Sequence, residues 1–139
     1  MPIPSSAISV PTSLRTWFVV HFIIDALFAI PLFIAPHYVL GMFGWTTIDP
    51  VAGRLVASAF FAIGTTSLIT RRADASSYRS LLILKLLWSG IALLGLFINI
   101  ANGAPAFAWI AVGVFVVLFI VWAYYYRQLR SQTTGSLHA

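Results

Sequence analysis

Ionisable side chains inside long apolar stretches are the residues of this sequence whose types and spacing favour chemistry. His21 and Asp25 lie four positions apart in one stretch, and Lys85 and Trp88 lie three positions apart in another. Residues three or four apart share one face of a helix, and an unpaired charge at membrane depth costs roughly 2.5–3.5 kcal/mol on insertion scales. We therefore predict that these four residues form one polar cluster between two facing helices.

The sequence leaves two interpretations of this cluster open. A His–Asp–Lys group inside a membrane can move a proton or hold the polar head of a ligand. The same residues can instead form a structural pair, in which Asp25 and Lys85 neutralise each other and Trp88 donates its indole N–H. A direct contact between the two charges favours the structural pair, whereas a cavity beside them favours a ligand site.

Catalytic and metal-binding patterns are missing from the sequence. The chain has no cysteine and three acidic residues, which excludes thiolate sites and a carboxylate-rich di-metal site. A bis-histidine haem site is unfavourable because His21 and His37 lie at opposite ends of one stretch and His138 lies in the tail. There is no phosphate-binding glycine loop and no nucleophile elbow. The sequence predicts a protein that is not an enzyme and holds no metal or cofactor.

The composition identifies the class of protein that must position these residues. Of 139 residues, 60% are hydrophobic and 8% are charged, and the mean hydropathy is +0.96. An ordinary soluble domain has about 25% charged residues, so this chain cannot cover a water-soluble globule. A disordered chain and a disulfide-stapled secreted domain are excluded as well. The composition predicts a single all-α domain of the polytopic membrane class.

Four stretches reach the roughly 20 apolar residues that a membrane-spanning helix needs. They predict four transmembrane helices in an up-down antiparallel bundle, at about residues 15–35, 51–70, 79–99 and 105–126. The tails, residues 1–13 and 131–139, are rich in Ser, Thr, Pro and Gly and are expected to be loose.

Two connections between the stretches carry their own signals. Residues 36–50 form a half-apolar link, predicted to be a short interfacial segment whose Met42, Phe43 and Trp45 dip into the membrane. Asp74, followed by two serines, is expected to cap the third transmembrane helix.

The basic residues predict the orientation. One side of the predicted bundle holds six of them, Arg15, Arg71, Arg72, Arg79, Arg127 and Arg130. The other side holds Arg54, for which Asp49, Asn99 or Asn102 are the expected partners. The positive-inside rule then places both termini in the cytoplasm. Basic residues beside a membrane orient helices and meet anionic lipid, so the lipid bilayer is the expected partner and nucleic acid is not.

Aromatic and small residues predict how the helices meet lipid and each other. Interfacial belts are expected from Trp17, Trp122, Tyr124, Tyr125 and Tyr126 at the basic side, and from Trp45 and Trp109 at the other. Close helix packing, within the chain or against another protomer, is expected at the small residues Gly53, Ala57, Gly64 and Gly90.

The stretches PLFIAPHYVLGMFGW and GRLVASAFFAIGTTSLITRRA carry a family resemblance. A first helix that ends in a proline, an apolar link with glycine, an Arg-containing second helix rich in small residues and a basic turn correspond here to Pro36, Gly41, Arg54, Gly64, Arg71 and Arg72. Over roughly residues 15–126 the chain resembles small prokaryotic four-helix integral membrane proteins of unknown function. The resemblance implies a four-helix bundle in the prokaryotic inner membrane and no assigned activity.

These observations favour a non-catalytic integral membrane protein, a structural or accessory component that packs in the bilayer or within a larger membrane assembly. The alternative is a small homo-oligomeric transporter, channel or hydrophobic-ligand-binding protein that uses His21, Asp25 and Lys85. A membrane enzyme acting on lipid or quinone would need a deep wet cleft that contains Asp25.

Overall fold

The computed structural model of the protein describes residues 9–135, with side chains through residue 132. This part of the chain is helical and contains no strand. The helices are α1 Thr12–Ile34, α2 Pro36–Met42, α3 Pro50–Ile69, α4 Ala75–Ala101 and α5 Phe107–Gly135, with a 3-10 turn at Thr70–Arg72. Four of them, α1, α3, α4 and α5, are long and apolar enough to span a membrane.

The helix bounds differ from the sequence prediction mainly at the two tails. α1 begins at Thr12, and α5 continues to Gly135, so each helix takes up part of a segment that we expected to be loose. Residues 1–8 and 136–139, including His138, lie outside the described residues. α4 is also longer than expected, because it begins directly after Asp74.

The two acidic residues outside the polar cluster cap helices. Asp49 accepts hydrogen bonds from the backbone N–H groups of Val51 and Ala52 at the start of α3. Asp74 accepts from the N–H of Ser77 and from the hydroxyls of Ser76 and Ser77, which confirms it as the cap of α4. Hydrogen bonds from Ser77 and Ser76 to the charged form lower the pKa of Asp74 from 3.8 to about 2.

The long helices are arranged as two antiparallel pairs. α1 packs most extensively on α3, and α4 packs most extensively on α5. Along the first pair, Gly64 lies beside Asp25 while the earlier Gly53 lies beside the later Pro36. Along the second pair, an aromatic contact joins Phe97 to Trp109. The guanidinium of Arg79 lies 6.0 Å from the Tyr126 ring at the other end of that pair.

The two pairs meet in a dense core at one end of the helices, which we call the basic end because Arg15, Arg71, Arg79 and Arg127 lie there. The core consists of large buried side chains from α1, α4 and α5, namely Leu14, Phe18, Tyr78, Leu82, Leu118, Trp122, Tyr125 and Leu129. The Tyr78 hydroxyl donates to the carbonyl oxygen of Arg71 and so ties the α3–α4 turn to this core. We call the other end, which holds α2 and the turn at residues 102–106, the link end.

The burial of Trp122 and Tyr125 corrects part of the predicted aromatic belt. Trp122 is 1% exposed and Tyr125 is 6% exposed, and Trp122 packs edge-on against Trp17 and Phe18. Tyr124 and Trp109 instead point outward, as belt residues do. The prediction failed for the two buried side chains because helix depth can be counted from sequence, whereas the direction in which α5 faces its neighbours cannot.

The link after α1 begins with α2 and then turns inward. Phe43 stacks on Phe107 with ring centroids 3.8 Å apart, and Trp45 meets the same ring edge-on. Gly44 between them has φ +91°, a conformation that favours glycine. Phe43 and Trp45 therefore pack against α5, whereas Met42 remains exposed.

Candidate functional site

Three of the predicted site residues meet in a chain of short contacts. Lys85 Nζ lies 3.0 Å from His21 Nδ1. His21 Nδ1 in turn lies 3.0 Å from Asp25 Oδ2. The side chains are buried, with exposed fractions of 2%, 5% and 4% for Lys85, His21 and Asp25. Asp25 and Lys85 form no direct ion pair. The direct contact that the structural-pair interpretation requires is therefore replaced by a bridge through His21.

The bridge leaves the carboxylate with at most one donor among the described residues. A lysine ammonium is only a donor, so when it donates to His21 Nδ1 the ring proton lies on Nε2 and Asp25 Oδ2 is a buried oxygen without a hydrogen-bond partner. In the other tautomer, the Nδ1–H of His21 donates to Asp25 Oδ2 at 3.0 Å. A carboxylate accepts several hydrogen bonds, so acceptor capacity remains in both tautomers. A buried carboxylate of this kind is costly unless something else donates to it.

Regular helix spacing brings these residues to the interior. The buried positions of α1 recur every three or four residues, at Leu14, Phe18, His21, Asp25, Ala29 and Leu32. Those of α4 follow the same rule, at Tyr78, Leu82, Lys85 and Ser89. The polar residues therefore occupy positions of the same buried faces that carry large apolar side chains at the basic end.

Aromatic rings surround the ammonium group. Lys85 Nζ lies 5.0 Å from the centroid of Phe18 and 4.8 Å from that of Trp122, within the range of cation–π attraction. Trp122 also packs edge-on against His21, with ring centroids 5.2 Å apart. Neither Phe18 nor Trp122 was predicted from the sequence as a site residue. Phe18 had a signal, because it precedes His21 by three positions, whereas Trp122 is brought close only by tertiary packing.

A glycine on α3 makes room for the carboxyl group. A Cβ atom at Gly64 would lie 2.8 Å from Asp25 Cβ and 2.9 Å from Asp25 Oδ2. The other small residues have related environments: Gly53 approaches Pro36, Ala57 is buried against α1, and Gly90 is in ordinary contact with Phe119. These positions pack helices within one chain, and Gly64 in addition seats Asp25.

A cavity of about 440 Å³ opens beside the polar cluster and extends towards the link end. All four long helices and the α2 link contribute to its wall. The residues that line it include His21, Asp25, Phe28, Phe43, Trp45, Val56, Phe60, Lys85, Trp88, Ser89, Ala92, Leu96, Phe107, Ala111, Phe115, Leu118 and Trp122. On α5 the wall runs from Trp122 to Phe107, about 22 Å at 1.5 Å per residue. The wall is apolar except where it meets the cluster.

Trp88 and Ser89 lie in the wall next to Lys85. Ser89 donates its hydroxyl hydrogen to the carbonyl oxygen of Lys85 at 2.7 Å, so its remaining capacity is as an acceptor. Trp88 packs edge-on against Phe60. The Trp88 indole takes part in no hydrogen bond with the described residues, and the expectation that it donates to an Asp25–Lys85 pair is wrong.

Arg54 does not pair with the residues predicted for it. Its Nε donates to the carbonyl oxygen of Phe33 at 3.2 Å, one of the last carbonyls of α1, which lack partners within their own helix. Asp49 is occupied as a cap, and the side-chain amide of Asn102 donates to Ile98. A cation at a helix C-terminus also interacts favourably with the helix dipole, so the role of Arg54 is to close α1.

The site offers no metal ligand set, since residues 9–135 contain no group of three His, Asp or Glu side chains that could hold a metal ion. Comparison with known proteins finds no matching family model, no similar curated protein and no similar solved structure. The atoms of the site itself provide an apolar cavity with a buried carboxylate at one end.

Proposed function

We propose that this protein is a non-catalytic integral membrane protein that holds an apolar small molecule between its helices. The single observation that carries the proposal is the 440 Å³ cavity that ends at the buried carboxylate of Asp25. Ligand sites are commonly clefts of about 300–1,000 Å³ with apolar walls and few polar groups. Empty space of this size forfeits dispersion contacts, so an apolar occupant would stabilise the fold.

The cavity also distinguishes among the alternatives. All four long helices of one chain contribute to its wall, which favours a site within one chain over a path built between copies, as a homo-oligomeric channel or transporter would need. The cavity contains Asp25, as an enzyme acting on lipid or quinone would need, but its wall is apolar beyond the polar cluster, so we prefer binding to catalysis. A structural or accessory role in a larger assembly is compatible with ligand binding.

The membrane setting is part of the proposal. We infer an up-down antiparallel bundle in a prokaryotic inner membrane, with both termini in the cytoplasm and lipid as the surrounding partner. The supporting observations are the large exposed apolar side chains on the long helices, such as Leu27, Leu55 and Ile91, and the basic residues at one end. A single cysteine replacing Ser131 should react with a membrane-permeant maleimide in intact cells and not with an impermeant one. Reaction with the impermeant maleimide would instead place the C-terminal end of α5 outside the cell.

Quenching of tryptophan fluorescence by 1-bromododecane tests the binding function. Trp45, Trp88 and Trp122 line the cavity, and the exposed Trp109 is replaced by Phe to remove its signal. In nanodiscs of unbrominated lipid, we expect saturable quenching near one probe per chain. A bromine atom quenches an indole that it contacts, so saturation reports a finite site rather than dissolution in lipid.

Filling the cavity supplies the control for this experiment. Ala92→Phe and Ala111→Leu place extra volume in the wall, whereas Ala62→Phe adds the same ring at an exposed position of α3. We expect the two wall variants to lose most of the saturable quenching and Ala62→Phe to keep it. Equal quenching in folded wall variants and in the parent protein would refute the proposal.

A further inference from the structure

We propose that the molecule held in the cavity is a neutral amphiphile with a hydroxyl head, an alcohol that donates its hydrogen bond to the carboxylate of Asp25. This inference rests on the proposed function and specifies its ligand class. It has three supports on the molecule: a buried acceptor with remaining capacity, a cluster whose charges already balance, and a wall that is apolar beyond the cluster.

The remaining acceptor capacity of Asp25 is the first support. Asp25 is 4% exposed and belongs to the cavity wall, and the single group of the described residues within hydrogen-bond distance of its carboxylate is His21 Nδ1, at 3.0 Å. The other neighbouring donors are directed elsewhere, because Lys85 contacts His21 and Ser89 donates to the backbone. A donor brought by the ligand would reduce the cost of burying a carboxylate with so few partners.

The charge balance of the cluster is the second support. The ammonium of Lys85 and the carboxylate of Asp25 sum to zero through the neutral ring of His21. A cationic or anionic head would therefore leave one uncompensated charge in a low-dielectric site, which costs several kcal/mol per ion. A neutral donor avoids this cost.

The pattern of polar and apolar wall residues is the third support. A hydroxyl both donates and accepts, and Trp88 lines the same cavity with an indole N–H that no described residue accepts. Towards the link end, the wall continues with Ala92, Leu96 and the Phe43–Phe107 stack. One polar end and a long apolar wall match a molecule with one polar head and an apolar body.

Three brominated probes of equal chain length test the ligand class. They are 12-bromododecan-1-ol, 1-bromododecane and 12-bromododecanoic acid. We expect the alcohol to bind roughly tenfold or more tightly than the bromoalkane, because only the alcohol can donate a hydrogen bond to the charged carboxylate. The acid should bind more weakly than the alcohol at neutral pH. In the alcohol the bromine is opposite the hydroxyl, so Trp45 should be quenched more than Trp88.

Variants assign the preference to Asp25. The double variant Asp25→Leu/Lys85→Met removes the acceptor while keeping the charge balanced, and it should bind the alcohol and the bromoalkane equally well. If this variant does not fold, Asp25→Asn/Lys85→Met should reduce the preference for the alcohol several-fold, because a neutral amide is a weaker acceptor. Thr65→Val is the matched control, since Thr65 Oγ1 is another buried oxygen without a partner but lies outside the cavity wall.

The outcomes separate this inference from the proposed function. Saturable binding with equal affinity for the alcohol and the bromoalkane would overturn the hydroxyl head and keep the apolar-ligand function. Tightest binding of the acid would overturn the neutral head. An undiminished preference in the folded double variant would overturn the role of Asp25. Absence of saturable binding by every probe would overturn both proposals together.

Discussion

The two ends of the long helices are packed in different ways. At the basic end, large side chains from three helices fill the interior, and residues such as Leu14, Phe18 and Tyr78 are fully buried. Towards the link end, the same helices enclose a cavity whose wall includes the small residues Ala92 and Ala111. The polar cluster lies at the boundary between the dense core and the cavity.

This difference separates the part of the protein that holds the helices together from the part that leaves open space between them. Lipid chains are as apolar as leucine, so helices in a membrane associate mainly through packing and polar contacts. The dense core, the Lys85–His21 contact and the Gly64–Asp25 approach provide these on one side of the boundary. The other half contributes less packing and is free to enclose space. Four experiments test how sharp the boundary is, from the largest expected effect to the smallest.

Removing the ammonium group should have the largest effect. Lys85→Met leaves Asp25 as an uncompensated buried charge and should lower the free energy of unfolding by about 3–5 kcal/mol. Adding Asp25→Asn should restore most of the loss. Reversible unfolding in mixed detergent micelles, followed by circular dichroism, measures both variants. A double variant no more stable than the single one would show that charge is not what links the two residues.

Truncating matched leucines on α4 compares the two halves directly. Leu82 is in the dense core, and Leu96 is in the cavity wall. Leu82→Ala should cost about 2 kcal/mol, the lower end of the range for buried leucines because lipid is itself apolar. Leu96→Ala should cost well under half of that, since one side of Leu96 already faces open space. Equal losses in the same unfolding measurement would mean that the cavity is filled as tightly as the core.

Adding one methyl group at a glycine tests the seat of Asp25. Gly64→Ala forces the new Cβ against Asp25 and should destabilise the protein by about 1–3 kcal/mol. Gly95→Ala is the control, because nothing lies within 4 Å of the added atom. There the higher helix propensity of alanine should stabilise α4 by up to about 1 kcal/mol. If Gly64→Ala left the free energy of unfolding unchanged, α1 and α3 would have to lie farther apart than they do in the structure.

The smallest effect is expected at the cap of α4, next to the dense core. Because hydrogen bonds lower the pKa of Asp74 to about 2 in the folded protein, its stabilising contribution is present above 3.8 and disappears as the pH falls towards 2. The difference in melting temperature between the parent protein and Asp74→Ala should therefore be small but constant near neutral pH. It should shrink as the pH falls below 3.8 and disappear below about 2. A difference that persists there would assign the effect to packing.

Much of the fold was accessible from sequence because long apolar stretches and caps are local signals. The four long apolar helices follow from run length, and Asp74 precedes its helix as a cap should. The prediction that His21, Asp25 and Lys85 come together rested on helix periodicity and estimated depth, and the structure brings the three together. The partners of Arg54 and the burial of Trp122 were predicted wrongly, because both depend on which face of one helix meets another.

The sequence by itself determined the all-helical fold, its four long apolar helices and the positions at which polarity enters an apolar interior. Only the tertiary structure decided that His21 stands between Asp25 and Lys85, that Trp122 covers the ammonium, and that a cavity opens beside the carboxylate. The physical reason is that a helix that is apolar on every side carries no stripe to mark its inner face. Neighbours, and the space left between them, are fixed by side-chain shapes that meet only when the chain is folded.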